Sequence, residues 1–223
     1  MENQPISTTL NEIRSLMERS TRFLSLSALS FVLVGIYACI SAYTVYHLYG
    51  GQHSGPILQI NTPSRLYTTI GIALLLLTLS LATVFLLSYG KAKKESAHVH
   101  LDQTTRRLLW HFFFPLIIGG LLCLSLIYHL HYGLTSSIML IFYGLSVVNC
   151  SKYTYSNIQY LGYAEILLGV LDSFFQGHAL LFWTIGFGLF HILYGIYFYL
   201  CIERKKRVVN AKEKKEITTS KEK

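Results

Sequence analysis

Two ionisable side chains lie within the most apolar parts of this sequence and are the best placed to do chemistry. Glu165 falls in the apolar run 157–175 and His191 in the run 179–202. An ionisable group inside a bilayer is costly, so such groups face the interior of a helix bundle and find partners. A carboxylate beside an imidazole predicts one of two arrangements. The first is a buried hydrogen bond that fixes two helices, and the second is a proton-responsive pair, because histidine titrates near physiological pH.

Small and polar residues recur around this pair at helical spacing. They are Gly162, Glu165, Gly169 and Asp172 in the first run, and Thr184, Gly188, His191 and Gly195 in the second. Spacings of three and four residues place each set on one helix face. An antiparallel hairpin through Gly177 would bring glycines together, and glycines allow a close approach of two backbones. The predicted contacts are Glu165 with His191, Gly162 with Gly195, Gly169 with Gly188 and Asp172 with Thr184.

The chain that holds these residues has the composition of an integral membrane protein. Only 13% of its 223 residues are charged, whereas a soluble domain carries about a quarter. The runs between the charged segments are long enough to cross ~30 Å of hydrocarbon as helices. The sequence therefore predicts an all-α fold, a polytopic transmembrane bundle of six helices. The predicted spans are Phe23–Leu48, Leu66–Tyr89, Leu108–Tyr128, Leu134–Cys150, Asn157–Phe175 and Ala179–Ile202.

Lysine and arginine are distributed unequally between the two predicted sides of the membrane. Of the 19 lysine and arginine residues, all except Arg65 fall in the N-terminal segment, the second and fourth connections or the C-terminal tail. Because basic residues are retained on the cytoplasmic side, both termini are predicted to lie in the cytoplasm. The basic segments are then predicted to meet anionic lipid headgroups, and nucleic acid is not an expected partner.

Three regions are predicted along the chain. Residues 1–22 are expected to form a short amphipathic helix at the cytoplasmic interface, beginning at the capping box Thr9–Glu12. Residues 23–202 form the six-helix transmembrane domain. Residues 203–223 form a basic cytoplasmic tail that is rich in lysine and glutamate and is predicted to be disordered.

An internal similarity links the first span to the third. At an offset of 84 residues, Gly35 matches Gly119 and Cys39 matches Cys123, with several further identities. This pattern predicts that the first two spans are a duplicate of the third and fourth. The alternative is that both segments are merely rich in leucine.

Histidines near the predicted outer face are candidate metal ligands. They are His47, His53, His129, His131 and His178. Imidazole is a common ligand of zinc and copper, but His129 and His131 are two residues apart and diverge on a helix. Bis-histidine haem would need imidazoles at matched depth on different helices, and His111 and His191 match poorly. No cofactor is therefore predicted, with zinc or copper and haem as the alternatives.

Part of the sequence resembles an uncharacterised group of small multi-span bacterial inner-membrane proteins. The resemblance rests on three segments, which are Tyr143–Leu145, Asn149–Thr154 and Tyr160–Glu165. It covers roughly the last third of the chain. It implies a location in the bacterial inner membrane and carries no assigned activity.

Three classes of function compete. The first is an interaction, signalling or accessory membrane protein with a buried Glu165–His191 pair, acting as a homo-oligomer or with a membrane protein partner. The second is a small proton- or ion-linked transporter or channel that uses Glu165, Asp172 and His191. The third is a membrane-bound metal or haem enzyme, which is the least favoured because the sequence has neither a His-Glu-x-x-His nor a Gly-x-Ser-x-Gly motif.

Overall fold

The structure is a computed structural model that describes residues 27–49, 63–94 and 103–204. All of its regular elements are helices within these ranges. They are α1 (Ala28–Tyr49), α2 (Pro63–Lys94), α3 (Gln103–Tyr128), α4 (Thr135–Cys150), α5 (Ile158–Phe174) and α6 (Ala179–Glu203). Three short 3-10 segments are Tyr132–Leu134, Ser151–Tyr153 and Gln176–His178. The all-α prediction is confirmed for this part of the chain, whereas the predicted amphipathic helix of residues 1–22 and most of the predicted tail lie outside the described residues.

Five of these helices, α1, α2, α3, α4 and α6, are long and apolar enough to cross a membrane. In a bilayer a chain must satisfy its backbone groups internally, and a continuous helix does so without any partner strand. The fifth predicted span is α5, whose 17 residues rise only ~25 Å. At the majority of their ends, the helices agree with the six predicted spans to within a few residues.

The described chain divides into two compact units. Unit I comprises Ser88–Phe182 and contains α3, α4 and α5. In it α4 packs against both α3 and α5, and its fully buried residues include Leu140 and Val147. Unit II comprises Leu26–Leu87 and the chain from Trp183 onward.

In unit II, α1 packs along α6. An aromatic cluster stabilises one part of this contact. The Phe31 ring meets Tyr194 edge to face at a centroid distance of 5.0 Å, and Phe198 is fully buried beside it. The apolar part of α2 behaves differently, since no residue in its most hydrophobic window is buried. That surface has the composition of a helix in contact with lipid.

Glycines bring the backbones of α4 and α5 together in unit I. A Cβ atom added to Gly144 would lie 2.6 Å from the carbonyl oxygen of Gly162 and 2.7 Å from the Ile166 side chain. A Cβ atom on Gly169 would lie 2.9 Å from the carbonyl oxygen of Ser137. No larger residue fits these positions without moving a helix, so the interface depends on glycine.

The α1–α6 contact in unit II has the same internal geometry. A Cβ atom on Gly35 would lie 2.6 Å from the carbonyl oxygen of Gly188 and 2.7 Å from the Ile192 side chain. A Cβ atom on Gly195 would lie 3.0 Å from the carbonyl oxygen of Ala28. Each α1 residue corresponds to an α4 residue 109 positions later, as Gly35 does to Gly144. Each α6 residue corresponds to an α5 residue 26 positions earlier.

This correspondence contradicts the predicted 84-residue repeat. That repeat would give Gly35 and Gly119 the same surroundings, but a Cβ atom on Gly119 would lie 2.5 Å from Cβ of Phe142. Gly35 instead lies against the backbone of another glycine, as Gly144 does. The matched identities at that offset reflect composition, and the structural equivalence joins α1 to α4.

Candidate functional site

Glu165 lies at the centre of the glycine interface of α5. It is fully buried, and Gly162 and Gly169, which precede and follow it by about one turn, both lie against α4. The sequence pattern that placed these three residues on one face is therefore consistent with the packing of α5. The close contacts of both glycines are with α4, a helix that the sequence analysis had not paired with them.

Asp172 joins α5 to the beginning of α4. The Asp172 side chain is fully buried, and its Oδ2 atom accepts hydrogen bonds from the hydroxyl groups of Ser136 and Ser137, the latter at 2.9 Å. These serines occupy the second and third positions of α4. A helix N-terminus carries a partial positive charge and unpaired N–H groups, so it favours a nearby carboxylate. Asp172 thus acts as a clamp between two helix ends.

The sequence predicts a contact of Asp172 with Thr184 and gives no prediction for either serine. Adjacent serines at the start of a predicted span fit a helix N-terminus, but they do not show which group their hydroxyls bind. The Oδ1 atom of Asp172 has no hydrogen-bond partner among the described residues. A buried oxygen of this kind is normally satisfied by an ordered water.

His191 is held by a local irregularity of α6. It follows directly on the π-helical segment Thr184–Phe190, and π segments inside α-helices frequently mark functional sites. The Nδ1 atom lies 3.1 Å from the carbonyl oxygen of Gly186, and the Phe187 ring lies 6.1 Å from the imidazole. A carbonyl oxygen only accepts, so Nδ1 carries a proton. In the neutral ring Nε2 is then the nitrogen that can accept a proton or hydrogen bond.

A second carboxylate clamp lies in unit II and was not identified from the sequence. Glu203 ends the π-helical segment Tyr199–Glu203, and its Oε1 atom accepts a hydrogen bond of 3.0 Å from the backbone N–H of Ala28. Ala28 is the first residue of α1. In both units, therefore, a carboxylate near the end of one helix meets the N-terminus of its packing partner. The sequence analysis had assigned Glu203 to the cytoplasmic tail.

Several hydroxyl groups of the described helices bond to their own helix. Thr44 donates to the carbonyl of Ile40 and Ser146 donates to that of Phe142, each at 2.8 Å. This bonding to the preceding turn is the usual way in which a membrane helix carries serine and threonine. These residues need no further partner, so the polar groups of interest are the buried ionisable ones.

Glu165 and His191 belong to different units, and the predicted hydrogen bond between them stays a prediction. The glycines that flank them are divided between the two units in the same way. Gly188 and Gly195 lie against α1, just as Gly162 and Gly169 lie against α4. Thr184 is the first residue of the π segment that precedes His191.

The candidate metal ligands do not gather in the described part of the chain. Among those residues, no three His, Cys, Asp or Glu side chains lie close enough to hold one metal ion. His47 is exposed near the end of α1, and His129 and His131 both follow the last residue of α3. His178 lies in a short segment that contacts the one following His131. His53 lies outside the described residues.

His111, a candidate haem ligand, contacts an aromatic side chain. It stacks on Tyr153 at a centroid distance of 5.1 Å with the ring planes 15° apart. This contact joins the first part of α3 to the 3-10 segment after α4.

No protein-family model, curated protein or solved structure matches this chain. Its function is therefore argued from its own residues.

Proposed function

We propose that this is a multi-pass protein of the bacterial inner membrane that acts as an interaction, signalling or accessory protein. Five helices of spanning length and the 17-residue α5 support six membrane crossings. The uneven distribution of lysine and arginine supports cytoplasmic termini.

The observation that carries this proposal is that two buried carboxylates bind the ends of neighbouring helices. Asp172 and Glu203 each bind the N-terminal end of a neighbouring helix. Such contacts fix the positions of the helices, so they give these two carboxylates a structural role. Transporters usually place their sites on helices broken near the middle of the membrane, whereas α3 continues through Pro115 as one helix.

A proton- or ion-linked transporter or channel is the second candidate, favoured by the π segment before His191. A π turn displaces backbone groups from the regular ladder, and His191 is fully buried directly after it. Glu165, Asp172 and His191 would then carry the proton or ion. A metal or haem enzyme is the third candidate, and the absorption spectrum and metal content of the purified protein test it.

A proton-flux assay separates the first two candidates. The full chain is reconstituted in liposomes that contain a pH-sensitive dye, and flux is measured under an imposed pH gradient. An interaction protein gives the same rate as empty liposomes. A rate above that background, lost in Glu165→Gln or His191→Leu and retained in Ser173→Ala, would instead establish transport. Ser173 is a suitable control because its hydroxyl bonds to its own helix at Val170.

The proposed topology has its own test. Reporter fusions after Tyr49, Tyr132 and Gly177 should report the outer side of the membrane, and a fusion at the C-terminus should report the inner side. An inner-side signal at any of the three positions would overturn the six-span arrangement.

A further inference from the structure

One end of unit I carries a compact group of cationic and aromatic side chains. The group is built on the stacking of His111 on Tyr153, which links α3 to the 3-10 segment Ser151–Tyr153. Arg107 precedes His111 by four residues on α3, so the two side chains share one helix face. Lys152 is the neighbour of Tyr153 in the short segment. Arg107, His111, Lys152 and Tyr153 therefore lie on two segments that contact each other, and they are called the basic cluster below.

The charges of the basic cluster are not neutralised within the described part of unit I. Arg107 and Lys152 are exposed. The carboxylates of this part of the unit are Glu165 and Asp172, and both are fully buried on α5. An exposed arginine and an exposed lysine, on segments joined by a stacked imidazole and phenol, provide several hydrogen-bond donors and two permanent positive charges.

Neighbouring aromatic residues place the basic cluster at the level of lipid headgroups. Trp110 is 67% exposed and stacks on Phe114 at a centroid distance of 5.7 Å. Exposed tryptophan at the end of a membrane helix is typical of the interface between hydrocarbon and water. Arg107 lies within the first turn of the apolar span Thr105–Tyr128, where a long side chain extends towards the headgroups.

We propose that the basic cluster is a binding site for the phosphate of an anionic lipid headgroup. The guanidinium of Arg107 matches two phosphate oxygens, Lys152 supplies a point charge, and His111 and Tyr153 supply N–H and O–H donors. The proposal rests on the proposed membrane location. It requires that the cytoplasmic leaflet contain lipids with an anionic phosphate headgroup. It is independent of whether the protein transports protons.

Quenching of tryptophan fluorescence by brominated lipid tests this site. The full-length protein is reconstituted in phosphatidylcholine bilayers, and brominated phosphatidylglycerol is titrated in. A Trp183→Phe background leaves Trp110 as the only tryptophan of the chain. Trp110 lies one turn from Arg107, so occupation of the site should quench its emission saturably. Arg107→Gln and Lys152→Gln should each weaken the apparent affinity about fivefold, the effect expected for one charge near an anionic surface.

Arg106→Gln is the matched control, because it removes the same charge one residue away and on a different face of α3. The affinity of this variant for phosphatidylglycerol should change by at most about twofold at physiological ionic strength. Equal losses in Arg106→Gln and Arg107→Gln would show a diffuse electrostatic attraction and overturn the proposal.

Two further measurements complete the test. His111→Phe keeps the ring contact with Tyr153 and removes the N–H donors, so it should weaken binding while leaving the unfolding temperature unchanged. Inorganic phosphate at constant ionic strength should not relieve the quenching. If it does, the site takes free phosphate, and the assignment to a lipid headgroup is wrong. A flux signal in the liposome assay would revise the proposed function without affecting either result.

Discussion

Glu165 and His191 hold equivalent positions in two helix pairs with the same interface. Each lies three residues after a glycine and four before another, and both side chains are buried. The glycines flanking Glu165 lie against α4, and those flanking His191 lie against α1. Gly169 and Gly195 have closely similar contact distances, whereas a Cβ atom would lie 2.8 Å from the facing glycine carbonyl oxygen at Gly162 and 3.7 Å from it at Gly188. The chain therefore uses one packing design twice and places an acid in one copy and an imidazole in the other.

The shared packing design predicts that glycine is essential at Gly144 and at Gly35. Gly144→Ala would place a methyl group 2.6 Å from the carbonyl oxygen of Gly162, so the helices must separate. We expect a loss of about 1–3 kcal/mol of unfolding free energy, measured by unfolding in detergent, and a similar loss for Gly35→Ala. Gly120→Ala is the control, because a Cβ atom there meets nothing within 4 Å. Similar losses in all three variants would refute the close-packing argument.

The Asp172 clamp predicts a graded series of stabilities. Asp172→Asn keeps a carbonyl oxygen that can accept from Ser136 and Ser137, so its effect should be small. Asp172→Leu removes the acceptor and should cost about 1.5–3 kcal/mol, the range for a hydrogen bond to a charged group. In the double variant Ser136→Ala with Ser137→Ala, the added change Asp172→Leu should cause a far smaller loss of stability than it does in the original chain. Thermal unfolding measures both losses. Strict additivity would show that the three side chains do not act together.

The Glu203 contact predicts that the last turn of α6 stabilises the first turn of α1. Glu203→Ala removes the acceptor for the N–H of Ala28 and should cost about 1 kcal/mol, as the loss of a helix cap does. Glu203→Gln keeps the acceptor and should recover most of that loss. Hydrogen exchange at the Ala28 amide reports the contact directly. Unchanged protection of this amide in Glu203→Ala would contradict the assignment.

Helix content and helix limits could be predicted because length and composition determine them in a membrane. Runs of about 20 apolar residues bounded by charges have no other stable form in a bilayer. The 17-residue α5 is predicted from its apolar run, although it is short for a span. The chain termini and the loop after α1 lie outside the described residues.

Helix partners could not be derived from the sequence, because four of the helices present similar glycine faces. Gly162 could have packed against Gly195 or against Gly144 with the same local chemistry, and the structure places it against Gly144. Ser136 and Ser137 were missed for a related reason. A serine in a membrane helix usually bonds to its own backbone, so only the position of Asp172 shows that these two hydroxyls serve another helix.

The remaining prediction concerns Glu165 and His191 themselves, for which the sequence predicts a hydrogen bond. Both side chains are fully buried, and a buried charge left alone is costly. Glu165→Gln keeps a hydrogen-bonding group and should therefore be milder than His191→Leu, which would leave the carboxylate without its predicted partner. Thermal unfolding of the two single variants and the double variant gives the coupling energy.

A direct pair should show coupling of at least about 0.5 kcal/mol, because residues in contact are not additive. The matched control combines His191→Leu with Asp172→Asn, since Asp172 is held by the serines of α4. That combination should be additive within about 0.3–0.5 kcal/mol. Additive behaviour of Glu165 with His191 as well would mean that the two side chains have separate partners, and the predicted pair would have to be abandoned in both its structural and its proton-responsive form.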